Sequence, residues 1–261
     1  MTPKGEVVRL LEFGVDEMAP PPGLADAALS VVPATAARVP IPGYLEQAYW
    51  WAYVHPRAVH AFEREWLVNA ILFGNYGRLR DCALAELGET IGGKTLQIAC
   101  VYGDLTPRLN RRLAPDARLD VVDVLPIQLR NLAAKLPPED PRVLLTHGDS
   151  SALACADAAY DRVLLFFLLH EQPARVRRST LAEAMRVVKP GGKVVIVDYH
   201  RPAHWHPLGP LVRVIFRRLE PYAIDLWRDD IVAFLPPGAK PATLAKQTYF
   251  GGLYQKLVLI R

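Results

Sequence analysis

Two apolar runs in this chain end on groups able to move protons or hold a cation. VLLFFLL at 163–169 leads into His170-Glu171, and KVVIV at 193–197 leads into Asp198-Tyr199-His200. Imidazoles and carboxylates gathered at one rim serve as general acids and bases, or as ligands for a divalent ion such as Mn²⁺ or Mg²⁺. If the strand continues through them, Asp198 and His200 share a face, whereas His170 and Glu171 point to opposite sides. A third carboxylate, Asp123, closes VVDV, 20 residues after Gly103. That is the spacing at which an acid at a strand end accepts the ribose hydroxyls of a nucleoside. A fourth acid, in HGDSSAL, sets Asp149 and Ser150 where a carboxylate could accept from an exocyclic amine or cap a short helix.

Such groups need strands to deliver them. From Lys94 onward, apolar runs of strand length alternate with helical stretches, the signature of βαβ units in a mostly parallel sheet. The expected strands are 95–100, 119–124, 143–147, 162–168, 193–199, 247–250 and 254–260. Val176, Thr180, Leu181, Ala184 and Val188 form one apolar helical face, which Pro190-Gly191-Gly192 is expected to end. Gly251-Gly252 is too short for a crossover, so the last two strands must form an antiparallel hairpin. In such sheets ligands sit at the carboxyl ends of the strands, beside the switch point.

Upstream, residues 1–43 are rich in Ala and Pro and read as an extended or partly ordered arm. Residues 44–89 predict two or three helices that supply a substrate wall or lid, and residues 90–261 form the main domain. Within the helical segment, Tyr49, Trp50, Trp51, Tyr53, His55, Asn75 and Tyr76 combine flat apolar surfaces with polar tips. That mixture suits a planar, quinone-like ring with a greasy tail.

Composition narrows the classes. The chain has 261 residues, 51% hydrophobic and 22% charged, enough to bury one large domain. Its net charge of +4 is spread rather than striped, which argues against a nucleic-acid partner. Cys82, Cys100 and Cys155 show neither zinc spacing nor a disulfide framework, so a reducing compartment is expected. The opening MTPKGEVVRLLEFG lacks the apolar core of a secretory signal, and no apolar run approaches the ~20 residues of a membrane span. A cytoplasmic location follows as the expectation, with LVRVIFRR at 211–218 either lying on a bilayer or packing on the core. The oligomeric state is open.

Five βα units closed by an antiparallel hairpin resemble the class I S-adenosylmethionine (SAM) methyltransferases across residues 90–261. LQIACVYGDLT at 96–106 is similar to that family's first motif, an acid followed by glycines at alternate positions. Only Gly103 remains here: Gln97 stands for the acid, Ala99 and Val101 for glycines, and Tyr102 adds bulk. The resemblance implies that SAM is held by Gln97, Ala99, Cys100, Val101, Tyr102, Gly103, Asp123, Val124, Asp149, Ser150 and Phe166. A nicotinamide dehydrogenase would need GxGxxG after the first strand, which is absent.

A narrower resemblance is carried by YWWAYVHPRAVHAFEREWLVNAILFGNYGRLRD, LQIACVYGDLT, LLFFLLHEQP, VDYHRP, LEPYAIDLW and TYFGGLYQK. Together these resemble the RquA family of rhodoquinone biosynthesis enzymes across most of residues 44–261. The resemblance implies that ubiquinone is the substrate, that a ring methoxy group is replaced by an amino group, and that SAM donates the amine with the aid of a divalent metal, manganese being the expected one. His170, Asp198, His200 and Tyr102 would then be catalytic. His170, Glu171, Asp198 and His200 would ligate the metal, and Tyr49, Trp50, Tyr53, His55, Asn75 and Tyr76 would hold the substrate. Peripheral attachment to the inner face of the cytoplasmic membrane is expected because the quinone tail is insoluble. A conventional quinone or phenol methyltransferase and a non-catalytic SAM-binding component of a quinone-biosynthesis complex are the alternatives.

Overall fold

The computed structural model describes residues 39–49 and 62–261. Trp50, Trp51, Tyr53, His55 and most of the amino-terminal arm therefore lie outside the described residues.

Alternation of side chains along the strands divides the core into two layers. Leu119, Val121, Leu164, Phe166, Val195 and Val197 face one side of the sheet, where they meet Leu79, Ala83 and Leu109. Leu96, Ile98, Val163, Leu165, Val194 and Ile196 face the other side, where they meet Leu181 and Ala184. Burying both faces is what near-continuous runs of Val, Ile and Leu demand, and each full-sized side chain contributes about 1.5–3 kcal/mol.

The chain runs α1 (Gly43–Ala48), α2 (Glu65–Ile71), α3 (Tyr76–Leu87), β1 (Lys94–Ile98), α4 (Leu105–Arg111), β2 (Arg118–Asp123), α5 (Pro126–Ala133), β3 (Val143–His147), β4 (Tyr160–Phe166), α6 (Ala174–Val187), β5 (Val188–Tyr199), α7 (Gly209–Leu219), α8 (Asp225–Arg228), β6 (Thr243–Tyr249) and β7 (Tyr254–Ile260). The seven strands lie in the order β3-β2-β1-β4-β5-β7-β6. β7 is antiparallel to β5, and β6 is antiparallel to β7. The order reverses between β1 and β4, so the ends of β1, β2, β4 and β5 share the rim where a ligand is expected.

Several boundaries differ from expectation: β1 stops at Ile98 instead of running to residue 100, β6 starts at Thr243 instead of 247, and two more differ for clear local reasons. Pro190-Gly191-Gly192 does not end a helix. Helix α6 stops at Val187, and β5 starts at Val188 with a bulge between the Tyr160–Val188 and Arg162–Lys193 pairs. Gly191 has φ +76°, and a Cβ on Gly192 would lie 2.8 Å from the Asp161 carbonyl oxygen. The second difference is β4, which ends at Phe166 rather than Leu168. Phe167 adopts φ +53°, turning His170 and Glu171 into a 3-10 turn, Leu169–Glu171, instead of a strand.

Candidate functional site

The β1 loop is shaped by left-handed residues. Ala99 has φ +73° and Gly103 φ +82°. Ala99 stands where the sequence comparison with the methyltransferase motif expects glycine, and an alanine in this region carries about 1–2 kcal/mol of strain. Ala99→Gly should relieve that strain and forfeit ~0.5–1 kcal/mol of backbone entropy, for a net gain of about 0.5–1 kcal/mol in chemical denaturation. A loss of stability would contradict the strain argument.

Gln97 is fully buried, and its amide serves the loop itself. Nε2 donates to the Ala99 carbonyl at 2.9 Å, and Oε1 accepts from Thr106 Oγ1 at 3.0 Å. The amide thus staples β1 to α4, a role its place in the motif did not disclose. Asp123 meets the loop through backbone amides: Oδ2 accepts from the Cys100 amide at 2.7 Å and Oδ1 from the Leu125 amide at 2.8 Å. Beyond these amides and the Cys100 thiol, the carboxylate keeps acceptor capacity for a hydroxyl.

Burial raises the Asp123 pKa to about 6, against the lowering effect of the Cys100 and Leu125 amides. The acceptor therefore forms as pH rises through about 6. Affinity for S-adenosylhomocysteine should tighten ~10-fold between pH 5 and 7, with Asp123→Asn flattening the profile. A flat profile in the parent protein would argue against ribose recognition by this carboxylate.

The other cofactor positions divide. Tyr102 stacks on Phe62 with centroids 5.8 Å apart, and its hydroxyl accepts from Gln128 Nε2 at 2.8 Å. Burial pushes its pKa above the ordinary phenol value, so at neutral pH it is a donor and not a base. Val124 is half-buried beside Asp123, and its carbonyl accepts from His147 Nε2 at 3.1 Å. Asp149 Oδ1 accepts from the Ser151 amide and hydroxyl, both at 2.8 Å, the local capping that was the alternative to adenine recognition. Ser150 Oγ bonds Thr180 Oγ1 and accepts from Gln172 Nε2, each at 3.0 Å. Phe166 is core, packed edge-on against Tyr76.

At the β4–β5 rim the structure joins His170 to Asp198. His170 Nδ1 lies 2.9 Å from Asp198 Oδ1, which also accepts from the Tyr199 amide at 2.7 Å. Asp198 Oδ2 accepts from the Leu169 amide at 2.8 Å and from the His170 amide at 3.3 Å. Both oxygens of this fully buried carboxylate thus hold the turn and its imidazole. Burial lowers the His170 pKa, but Asp198, by charge and hydrogen bond, together with Glu220 and Glu171, raises it to about 9. The ring is an imidazolium at neutral pH. Its Nε2 lies 3.8 Å from Glu171 Oε1 and 4.0 Å from Glu220 Oε2.

His200 departs from the expected grouping. It follows β5, and its Nδ1 donates to the Gly252 carbonyl at 2.8 Å, locking it to the β6–β7 hairpin. There it lines a separate open cavity of about 450 Å³ with Arg78, Arg201 and Tyr249. The four-ligand metal set of His170, Glu171, Asp198 and His200 therefore does not assemble. Asp198 is spent on backbone amides, and no group of three or more His, Cys, Asp or Glu side chains converges as a metal site among the described residues. The error arose from extending strand periodicity past the points where β4 and β5 stop.

The expected substrate wall is corrected as well. Tyr76 is 1% exposed, and its hydroxyl accepts from the Asp104 and Leu105 amides at 2.9 and 3.1 Å, so it caps α4 instead of facing a ligand. Asn75 donates to the Leu72 and Phe73 carbonyls at 3.1 and 3.0 Å, closing the turn between α2 and α3. Tyr49 is fully buried beside Tyr222 and within electrostatic reach of Glu220. Trp50, Tyr53 and His55 fall outside the described residues.

Sequence reasoning passed over several groups that complete the rim. Tyr44 lies within electrostatic reach of Glu171, Asp149 and Asp123, acids at or just after the ends of β4, β3 and β2. Arg177 is fully buried and donates to the carbonyls of Leu169, Gln172 and Tyr222. Glu63 and Lys135 clasp the β1 loop from either side.

Comparison with known proteins bears on the fold. Residues 95–192 match the model of a methyltransferase domain family. Demethylmenaquinone methyltransferase of Staphylococcus aureus is 30% identical over 136 residues, covering 52% of this chain and 55% of the relative. The chain spans about half the length of the curated relatives it matches. An O-methyltransferase family protein from Burkholderia thailandensis shares the fold with a TM-score of 0.60 at 18% identity, over 78% of this chain and 60% of its own. A Bordetella parapertussis protein described as a possible exported protein gives 0.57 at 15% identity, over 83% and 84%. At these identities the structural likenesses speak for fold alone.

Proposed function

We propose that this chain, whose fold is that of the class I SAM methyltransferases, is a SAM-dependent transferase acting on a quinone-like ring. The observation that carries the reading is the Asp123 carboxylate bonded to the Cys100 amide beside the left-handed Ala99–Gly103 loop, at the strand ends where a nucleoside is received. The carbonyls of Val101 and Gly103 already accept from one ammonium, that of Lys135, so the loop suits a cofactor bearing a cationic amine. SAM would supply the transferable group. Support for a quinone comes from the demethylmenaquinone methyltransferase likeness and from the aromatic surroundings of His170, whose ring meets Phe167 and Tyr199 edge-on at 5.9 and 4.8 Å.

The finer reading is amine transfer, with ubiquinone as substrate and rhodoquinone as product. It is favoured by Gln97: β1 offers a neutral amide, already bonded to Ala99 and Thr106, where the family motif has an acid, so the strand itself does not fix the cofactor amine in the position used for methyl transfer. In this reading the His170 imidazolium, positioned by Asp198, donates from Nε2 to a quinone oxygen as negative charge builds there. Glu220, whose pKa burial raises, would serve as the proton acceptor of the site. No step requires the four-residue metal set.

Membrane contact fits the same substrate. Among the described residues no helix is long and apolar enough to cross a bilayer. Helix α7 buries Val212 and Phe216 yet leaves Leu211 and Val214 about half exposed, and it carries Arg213, Arg217 and Arg218. Trp205, just before it, is 67% exposed. An apolar strip flanked by arginines suits the surface of an anionic bilayer on the cytoplasmic side.

The deciding experiment uses purified protein, ubiquinone, and SAM labelled separately at the amino nitrogen and the methyl carbon. Nitrogen label in the quinone product supports amination. Methyl label makes the chain a conventional methyltransferase, and neither label, with SAM bound, makes it a binding component.

A further inference from the structure

The β1 loop is gripped by two opposite charges from outside the motif. Glu63, just before α2, accepts from the Gly103 amide at 3.0 Å and from Lys135 Nζ at 2.6 Å through Oε1, while its Oε2 accepts from Asn131 Nδ2. Lys135, just after α5, donates to the Gly103 and Val101 carbonyls at 3.0 and 3.3 Å. Both side chains are less than one-fifth exposed.

Taken together, these contacts place an ammonium on two loop carbonyls and a carboxylate on a loop amide and a side-chain amide. That is the hydrogen-bonding pattern of an amino-acid zwitterion, supplied by the protein's own side chains. The pair sits on the same loop as Asp123, three residues along from the Cys100 amide. A cofactor whose nucleoside lies at Asp123 would bring its amino-acid end to this place.

Resting on the proposed SAM-dependent function, we propose that Glu63, Lys135 and Asn131 are the subsite for the cofactor's amino-acid end. Lys135 and Asn131 receive the α-carboxylate, and Glu63 receives the α-ammonium. The mutual ion pair is exchanged for two pairs with the ligand, so each charge keeps a partner throughout. The acid missing from β1 at Gln97 is thereby supplied from the amino-terminal segment, on the other side of the loop. Each exchanged contact is a charge-assisted hydrogen bond in a partly desolvated site.

The test compares two ligands by calorimetry: S-adenosylhomocysteine, which carries the amino-acid end, and 5′-methylthioadenosine, which lacks it. Lys135→Met and Glu63→Gln should each weaken S-adenosylhomocysteine about 10- to 100-fold and change 5′-methylthioadenosine less than about 3-fold, with Asn131→Ala intermediate. Should one variant fail to fold, the others carry the comparison, since the three residues come from two separate segments. Unchanged or tighter S-adenosylhomocysteine binding would overturn the subsite, tighter binding marking the pair as a plug. Equal weakening of both ligands would also overturn it, assigning the pair to loop structure. If the parent protein binds neither ligand, the transferase reading itself falls.

Discussion

Asp198→Ala is expected to lower the unfolding free energy by about 3–5 kcal/mol and to abolish turnover. This one carboxylate accepts from the amides of Leu169, His170 and Tyr199 and from the His170 ring, all in a site closed to water. Removing it strands three backbone donors and an imidazolium, each costing about 1–3 kcal/mol unless the turn opens to solvent. Asp198→Asn keeps the shape but must present an NH₂ group to a neighbouring donor, so it should recover only part of the stability.

The pH dependence of stability checks the same network. The folded pKa of His170, about 9, lies above its unfolded value. Its stabilising contribution is therefore fully present below about pH 6.5 and is lost as pH rises through about 9. In Asp198→Ala that alkaline loss should shrink, because the main partner of the imidazolium is gone. Denaturant titrations at pH 6, 8 and 10 read it out. A variant that loses less than about 1 kcal/mol, with an unaltered alkaline slope, would show that the turn is held by other contacts.

Gly103→Ala should cost about 2–5 kcal/mol and weaken cofactor binding at least 10-fold. Two effects add. At φ +82° an alanine is strained, and its Cβ would overlap Tyr76 Oη and lie 2.7 Å from Cζ. Tyr76 cannot retreat without abandoning the Asp104 and Leu105 amides at the start of α4. The clash is therefore transmitted to the helix and to the loop carrying the Glu63 and Lys135 contacts. Paired with Tyr76→Phe, the substitutions should be non-additive by ~0.5 kcal/mol or more, since both act on one contact. Strict additivity with undiminished S-adenosylhomocysteine binding would mean that the loop relaxes freely.

These two positions show unequal legibility. Gly103 could be found from sequence because a glycine beside a strand end reports a backbone requirement that other side chains meet poorly. Ala99 concealed the same requirement, adopting φ +73° without the residue type that announces it. His170 and Asp198 were recognised by type and by their place at the ends of apolar runs, but their pairing was not. The expected grouping joined His170, Glu171, Asp198 and His200 at one rim, with Asp198 and His200 on one face of a strand continued one residue too far. Phe167 at φ +53° and the β6–β7 hairpin, which takes His200 by its Nδ1, undo that geometry.

Local pattern was sufficient for the seven strands, the closing hairpin and the rim at which a ligand binds, because burial of a sheet on both faces imposes a residue-by-residue hydrophobic requirement that is written along the chain. The weakest strand by that measure was β6, almost wholly exposed and so nearly without an apolar signal. What only the tertiary structure decided were contacts between residues far apart in the chain. Lys135 and Glu63 are separated by 72 positions, and Arg177 reaches Tyr222 across 45. Such contacts leave no local periodicity, and a charged side chain looks the same in sequence whether it is solvated or buried. The family resemblance pointed to the rim, while the packing around it determined which carboxylate holds the imidazole, which tyrosine caps a helix, and which two charges clasp the loop.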